Sequence, residues 1–131
     1  MRVLLVVVAA AAVYLHTVGL VPDTVAVANG THQVPDDVAD AVHRHVPLLH
    51  QGWTLRMMAC ESAFDPDARN GSHVGLAQHA ERYLADRVAR HGDGATLAEF
   101  YTDVDVQVLV TEGLRSELGR APWSESEWCW A

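Results

Sequence analysis

The sequence contains no lysine: its nine basic residues are all arginine, set against 17 acidic residues and a net charge of −8. Proteins that bind nucleic acid broadly need a basic face to meet the phosphates, so this charge argues against that class of partner. A polysaccharide remains compatible with the charge, because sugars are held mainly through hydroxyl hydrogen bonds and ring stacking.

Cysteine is also scarce. Cys60 and Cys129 lie 69 positions apart, and neither belongs to a Cys-x-x-Cys pair, so we expect no cysteine-rich zinc site. In an oxidising compartment the two residues can form one disulfide that closes a long loop, whereas in the cytosol they would remain thiols. The compartment therefore decides between the two states.

The N-terminus bears on the compartment. A short positive start, Met1-Arg2, precedes residues 3–21, an apolar run that only His16 and Thr17 interrupt. Residues 1–28 are either a signal peptide cleaved after a small-x-small triplet or a retained anchor approaching the ~20 residues that span a bilayer. Both interpretations predict an exported protein, secreted or membrane-anchored, and both favour the disulfide.

The remainder is interpreted as one mostly helical domain. Residues 22–35, and residues 29–35 in particular, are interpreted as a linker to a domain over residues 36–131. Apolar residues near every fourth position predict a first helix from Asp36, as its cap, to Pro47, which ends or kinks it.

A second helix is predicted over residues 53–63 and two more over residues 79–90 and 104–118, the last capped by Asp103. Residues 69–73 are polar and turn-rich. This pattern predicts a small, mainly α domain with at most a short β-hairpin, preceded by an N-terminal hydrophobic helix.

Glu61 is the candidate for chemistry. It falls at the C-terminal end of an apolar predicted helix, where desolvation and the helix dipole both disfavour a negative charge and raise a carboxyl pKa. A raised pKa suits a general acid. An isolated Glu on a helix is nevertheless most often a solvent-exposed residue without such a role.

Two spaced motifs change that balance. Residues 61–68 read Glu-Ser-Ala-Phe-Asp-Pro-Asp-Ala, and residues 75–78 read Gly-Leu-Ala-Gln. This combination resembles the soluble lytic transglycosylase family of the lysozyme superfamily, which has a Glu-Ser pair, an aromatic-x-Pro-x-Ala stretch and a Gly-Leu-Met-Gln-like element. The Cys beside the Glu and the Trp-rich, Cys-containing C-terminus look like compact versions from actinobacteria and their phages.

The resemblance implies an α+β lysozyme-like fold and cleavage of the β-1,4 bond between N-acetylmuramic acid and N-acetylglucosamine in peptidoglycan, without a cofactor or metal. Glu61 would act as acid on the glycosidic oxygen and then as base on the muramyl 6-hydroxyl. Ser62 would orient that carboxyl or a substrate hydroxyl, and Gln78 would hydrogen-bond sugar. The remaining predicted substrate-site residues are Gly75, Leu76 and Tyr101.

The sequence departs from the family in places. The third motif, an Ala-Tyr-Asn triplet, is absent; Tyr101, the nearest aromatic candidate, has different neighbours, and Ala77 replaces a larger residue. A hydrolase would need a second carboxylate such as Asp65 or Asp67, although Asp65 is better explained as a turn residue. The alternative function is an inactive lysozyme-fold binding or structural module, such as a membrane-anchored virion protein.

The eight histidines do not predict a metal site. His43 and His45 point to different sides of a helix, and His43 could share a face with His50 but without an obvious carboxylate partner. His73 and His79 flank the proposed groove and could touch substrate, but we expect them to occupy surface or loop positions.

Three tryptophans lie close together in the C-terminal tail: Trp123, Trp128 and Trp130. Each could pack in the core or stack on a sugar, and packing is the default expectation. If Cys129 bonds to Cys60, the tail is drawn back beside Glu61.

Overall fold

The computed structural model describes residues 21–131, so the predicted N-terminal hydrophobic helix and nearly all of its apolar run lie outside the described residues. Within residues 21–131, no helix is both long enough and apolar enough to cross a bilayer. The strands are β1 (Thr24–Val27), β2 (Gly30–Gln33), β3 (Arg69–Asn70), β4 (His73–Val74) and β5 (His79–Ala80). The helices are α1 (Asp36–His45), α2 (Leu48–Ser62), α3 (Glu81–His91), α4 (Leu97–Thr102), α5 (Val104–Leu118), a 3-10 helix (Ala121–Ser126) and α6 (Glu127–Trp130).

The prediction of a mainly α domain with short β segments is confirmed. The β structure consists of the antiparallel hairpin β1–β2 and a small antiparallel sheet in the order β3–β4–β5. Strands β3 and β4 lie in or directly after the turn-rich stretch of residues 69–73, and β5 takes the first two residues of the predicted third helix.

The predicted linker is wrong as a description of residues 22–35, because most of them form the hairpin β1–β2. Val27 pairs with Gly30, so Ala28 and Asn29 form the two-residue turn, and Gly30 has a φ of +132°, which favours glycine. The alternation of Thr24–Val27 places Val25 in the core. The backbone N–H of Ala28 donates to the carbonyl of Cys129 at 3.0 Å, which joins the hairpin to the C-terminal tail.

Three of the four predicted helices differ from the structure at their ends. Helix α2 begins directly after Pro47, five positions before the prediction, because proline is common at a helix N-terminus. Its first two residues, Leu48 and Leu49, are exposed and do not belong to the buried face of the helix. Helix α3 begins at Glu81, because the two preceding residues pair as β5. Asp36 lies in the first turn of α1 and does not cap it; Pro35 holds the cap position.

The bounds of α5 and its cap are confirmed. The side chain of Asp103 accepts a hydrogen bond from the N–H of Asp105 at the start of the helix. The sequence analysis missed α4, although Thr96 and Glu99 form a reciprocal capping box at its start.

Helices α2 and α5 position the site. The middle of helix α2 is mostly buried, with Leu55, Met57 and Met58 fully inaccessible, and the helix packs against α1, the hairpin β1–β2 and the tail. Helix α5 packs against α1, α3 and α4, so it lies between two apolar clusters. The end of α2, the small sheet and the tail therefore meet around Glu61.

Candidate active site

Glu61 lies in the last turn of α2, where the chain turns sharply. Ala63 and Phe64 both have left-handed backbone conformations, with φ values of 51° and 62°. Asp65 then stabilises the turn, since its side chain accepts from the N–H of Asp67 at 2.9 Å. This contact confirms the interpretation of Asp65 as a turn residue. Glu61 therefore lies directly before a polar loop that begins with a sharp turn.

The environment of Glu61 favours the protonated carboxyl. Burial raises the pKa of Glu61 above its ordinary value of 4.5 and outweighs the other influences. The hydrogen bond from Ser126 and the proximity of His73 lower the pKa, whereas the charge of Glu125 raises it. A partly buried carboxyl with a raised pKa can hold a transferable proton nearer to neutral pH than an exposed one.

Glu61 opens into a cleft of about 220 Å³. One side consists of residues from α2 and the small sheet, and the other consists of residues from the 3-10 helix and α6. The lining is polar and aromatic: Glu61, Asn70, His73, Gln78, Pro122, Trp123, Glu125, Ser126 and Trp128. Such a lining offers hydroxyl, amide and carboxylate partners together with ring faces.

The disulfide holds the two sides of the cleft together. Cys60 and Cys129 are bonded, as the exported interpretations favoured. Ser126 then lies beside Glu61, and its Oγ donates to Oε1 of Glu61 at 2.6 Å. The expectation that a bridge would draw the tail back beside Glu61 is confirmed.

The three tail tryptophans divide between packing and exposure. Trp123 and Trp130 are buried and make edge-to-face contacts with Trp53, at centroid distances of 5.4 and 5.6 Å. The indole of Trp123 also donates to the carbonyl of Ala77 at 3.0 Å. Trp128 differs from both because it is 70% exposed while lining the cleft.

Ser62 does not line the cleft. Its hydroxyl lies 2.8 Å from the carbonyl of Leu76 and 3.2 Å from that of Met58, so it joins the end of α2 to the loop that follows β4. Leu76 itself is fully buried. These two predicted substrate-site residues are placed as supports of the loop.

Gln107, which the sequence analysis did not select, also supports that loop. Its Oε1 accepts from the N–H of Leu76 at 2.8 Å, and its Nε2 donates to the carbonyl of Pro66 at 2.9 Å. Gly75 has φ +83°, and a Cβ there would lie 2.7 Å from Oε1 of Gln107. A single buried amide on an otherwise apolar stretch of α5 is the signal that could have found it.

Gln78 lines the cleft but directs its amide group into the loop. Nε2 donates to the carbonyls of Gly75 and Ala68 at 3.0 and 3.2 Å, and Oε1 is buried without a partner among the described residues. Its predicted hydrogen bond to sugar stays a prediction.

Tyr101 and Gly75 line a separate cavity of about 140 Å³, with residues of the Pro66–Arg69 segment. Tyr101 is partly exposed at 38% and stands edge-to-face against Phe100. The structure therefore brings Glu61 and Gln78 together in one cleft and places Tyr101 in another.

His73 and His79 have contrasting positions. His73 is exposed on β4 and lines the cleft. The expectation of a surface or loop position is wrong for His79, which is 1% exposed, because its ring packs against Phe100 and Trp123. Burial, followed by the charges of Arg87 and His91, lowers the pKa of His79 to about 3.

The described residues contain no group of three or more histidine, cysteine or acidic side chains that could hold a metal ion. His43 is exposed, and His45 instead contacts the carboxylate of Asp105 at 2.7 Å.

Sequence reasoning also missed Ser126, Glu125 and Asn70 as cleft residues. The Trp-Ser-Glu-Ser-Glu-Trp tail offered a partial signal, because the predicted disulfide already drew it towards Glu61. Which of its side chains would face the carboxyl depends on the turn of the 3-10 helix.

No protein-family model, curated protein or solved structure matches this chain.

Proposed function

We propose that the protein cleaves peptidoglycan glycan strands as a lytic transglycosylase or lysozyme-type enzyme, with Glu61 as its catalytic residue. The observation that carries the proposal is the placement of Glu61: a partly buried carboxyl with a raised pKa at the edge of an open, polar and aromatic cleft. The spaced motifs in residues 61–78, which resemble the soluble lytic transglycosylase family, name the substrate class.

One carboxyl is sufficient for the chemistry. In the first step Glu61 gives its proton to the oxygen of the β-1,4 bond, and the C1–O bond breaks as the N-acetylglucosamine chain leaves. In the second step the carboxylate removes the proton of the muramyl 6-hydroxyl, whose oxygen bonds to C1 and forms the 1,6-anhydro ring. Glu61 is protonated again at the end of the cycle, so the reaction consumes no water and needs no second carboxylate.

The cleft lining suits a sugar chain. Trp128 presents an exposed indole on which a pyranose ring can stack, and Asn70 and His73 offer hydrogen-bonding groups from the small sheet. The net charge of −8 is compatible with a ligand recognised through hydroxyl and amide groups.

The decisive experiment digests purified peptidoglycan sacculi with the 131-residue protein, Glu61→Gln and Glu127→Gln, and identifies the products by mass spectrometry. Glu127 is the matched control, since it is an exposed carboxylate in the same tail that does not line the cleft. We expect anhydromuropeptides from the unaltered protein and the control, and a fall of ~100-fold or more for Glu61→Gln.

The products also discriminate between mechanisms. Reducing-end sugars would indicate a hydrolase, with Glu125 as the carboxylate in the cleft to test next. Binding to sacculi without release of product from any variant would favour the alternative, an inactive binding or structural module.

Trp128→Ala tests the sugar-binding part of the proposal. We expect KM for soluble glycan chains to rise roughly tenfold with kcat little changed, because the variant loses the apolar contact between the indole and a pyranose ring, about 50 Å² at about 25 cal/mol per Å². Tyr83→Ala, an exposed aromatic change on α3, is the control. An unchanged KM for Trp128→Ala would contradict a stacking role.

We also propose that the protein works outside the cytoplasm, because the Cys60–Cys129 disulfide is stable in an oxidising compartment. Cleavage after Ala28 would remove β1 and with it the buried Val25. The hairpin therefore favours either a retained N-terminal segment or cleavage before β1. Mass spectrometry of the exported chain distinguishes these outcomes from cleavage at Ala28.

A further inference from the structure

Ser126 is held in a fixed place beside Glu61. Its Oγ lies 2.6 Å from Oε1 of Glu61 and 3.1 Å from the carbonyl of Trp123. The indole Nε1 of Trp130, 3.0 Å away, donates to the same Oγ. Trp123 and Trp130 are both buried, and Cys129 is bonded to Cys60, so the hydroxyl is positioned by packing and by a covalent link.

The donor count limits what Ser126 can do. An indole N–H can only donate, and that of Trp130 lies 3.0 Å from Oγ of Ser126 and 3.2 Å from the carbonyl of Trp123, so the two oxygens share it. Oγ therefore accepts from Trp130 and has its own single hydrogen left for an acceptor. Two acceptors lie within reach, Oε1 of Glu61 and the carbonyl of Trp123. The hydroxyl can thus donate to an ionised carboxylate, and it keeps a backbone partner when the carboxyl accepts less strongly.

Glu61 has two oxygens, and the structure distinguishes them. Oε1 accepts from Ser126, whereas Oε2 has no hydrogen-bond partner within residues 21–131. A carboxyl that first gives and then takes a proton must present an oxygen within hydrogen-bond reach of the substrate, and Oε2 is the oxygen available for this.

We propose that Ser126 is a positioning residue for Glu61: its hydroxyl holds Oε1 and leaves Oε2 as the oxygen that gives and then takes the proton. The inference rests on the proposed function for its role in turnover. The hydrogen bond also stabilises the carboxylate, so Ser126 opposes the effect of burial on the pKa of Glu61. The other titratable groups that act on Glu61 are His73 on β4 and Glu125 in the 3-10 helix.

The test measures the Glu61 carboxyl directly. The 131-residue protein is labelled with 13C-glutamate, the Glu61 carboxyl signal is assigned by its loss in Glu61→Gln, and its titration is followed by NMR. We expect the pKa of Glu61 to rise in Ser126→Ala, because burial then acts without the opposing hydrogen bond. Ser126→Thr should titrate as the unaltered protein does, since it keeps the hydroxyl.

Two further variants separate orientation from general disturbance. Ser124→Ala changes an exposed serine in the same 3-10 helix and should leave the titration unchanged. Trp130→Phe keeps an aromatic ring but removes the indole donor that orients Ser126, and it should shift the pKa in the same direction as Ser126→Ala but less.

Turnover supplies the second readout. For Ser126→Ala we expect kcat to fall roughly tenfold with KM little changed, as for the loss of a hydrogen bond to a charged group. The high-pH limb of the kcat/KM profile should shift to higher pH, because Glu61 keeps its proton to higher pH. A structural role alone would lower activity without moving that limb.

The two proposals can fail separately. An unchanged Glu61 titration in Ser126→Ala, or a Ser124→Ala shift of the same size, would overturn the role of Ser126 whatever the activity. Absence of glycan cleavage by the unaltered protein would overturn the proposed function, and the titration would still decide whether Ser126 sets the protonation of Glu61.

Discussion

Two regions of the protein each contain an ionisable side chain whose pKa burial shifts towards the neutral form. In the cleft, burial raises the pKa of Glu61, and the carboxyl faces an open space of about 220 Å³. Between Phe100 and Trp123, burial lowers the pKa of His79 to about 3, and the ring is enclosed.

The difference lies in what remains available to a ligand. Both ring nitrogens of His79 have partners: the guanidinium of Arg87 donates to Nδ1 at 3.1 Å, and Nε2 lies 2.9 Å from the hydroxyl of Thr111. Because arginine cannot accept a hydrogen bond, Nδ1 is the acceptor and the proton lies on Nε2. Oε2 of Glu61, in contrast, has no hydrogen-bond partner in the part of the chain that the structure describes, and the carboxyl lines a cleft. A shifted pKa therefore indicates chemistry only where a cleft gives access to the group.

The largest expected effect comes from removing the link between the tail and α2. Cys60→Ser with Cys129→Ser should lower the free energy of unfolding by ~4 kcal/mol, following the chain-entropy model for a long loop. Denaturant unfolding measures this loss.

Amide hydrogen exchange locates the effect of that double variant. Protection should fall first in the 3-10 helix and α6, whereas the amides around His79 keep theirs. An even loss over both regions would contradict the view that the disulfide serves the cleft.

His79→Gln should lower the free energy of unfolding by about 3 kcal/mol at neutral pH, because ring packing and the bond from Arg87 are lost. His79 favours the fold while neutral. Its contribution is present above pH 6.5, the ordinary pKa, and is lost as the pH falls towards about 3, its pKa in the fold.

The acid-induced loss of stability should therefore be smaller in His79→Gln than in the unaltered protein. Chemical unfolding between pH 7 and pH 3 measures it, with the exposed His43→Gln as control. Equal slopes in all three proteins would show that His79 is not the group responsible.

Gly75→Ala should cost about 2 kcal/mol, since it adds strain at φ +83° and forces Gln107 away from the loop. Gly71→Ala is the matched control: its φ is +61°, but nothing lies within 4 Å of the added Cβ. We expect about half the loss there, from backbone strain alone. Equal losses of unfolding free energy in the two alanine variants would show that the contact between Gly75 and Gln107 does not stabilise the loop.

Glu61→Gln should have the smallest effect on stability and the opposite sign, a gain of about 0.5 kcal/mol or less at neutral pH, because the carboxyl is only partly buried and solvent screens its charge. The raised pKa means that ionised Glu61 opposes folding above its pKa in the fold, and this penalty vanishes as the pH falls below 4.5. Thermal unfolding at pH 7 and pH 4 should show the gain only at the higher pH. A loss at pH 7 would mean that the carboxylate supports the fold.

Local sequence signals predicted much of the fold. The periodicity of α5 and its Asp103 cap act within one helix, and the structure has both where they were expected. The hairpin β1–β2 was equally local, since its turn at Ala28 and Asn29 is followed by a glycine that takes a positive φ. It was missed because the preceding apolar run suggested a leader and a linker.

The site was predictable only in part. Glu61 and the disulfide were selected, but Ser126 is 65 residues from Glu61 along the chain, and Gln107 is 31 residues from Leu76. No periodic sequence pattern predicts either contact. Ser62 and Leu76 illustrate the converse, since residues within a motif were expected to face substrate and instead support a loop.

The sequence by itself determined four of the helical segments, the position of a carboxyl at the end of the apolar helix α2, and the presence of two cysteines that could link the tail to it. Those properties depend on propensity, spacing and chemistry within a few residues. Only the tertiary structure decided which ionisable group is open to a ligand and which is enclosed. Burial, access and hydrogen-bond partners depend on segments distant in the chain, so Glu61 and His79 acquired different surroundings only when the tail, the small sheet and α5 packed together.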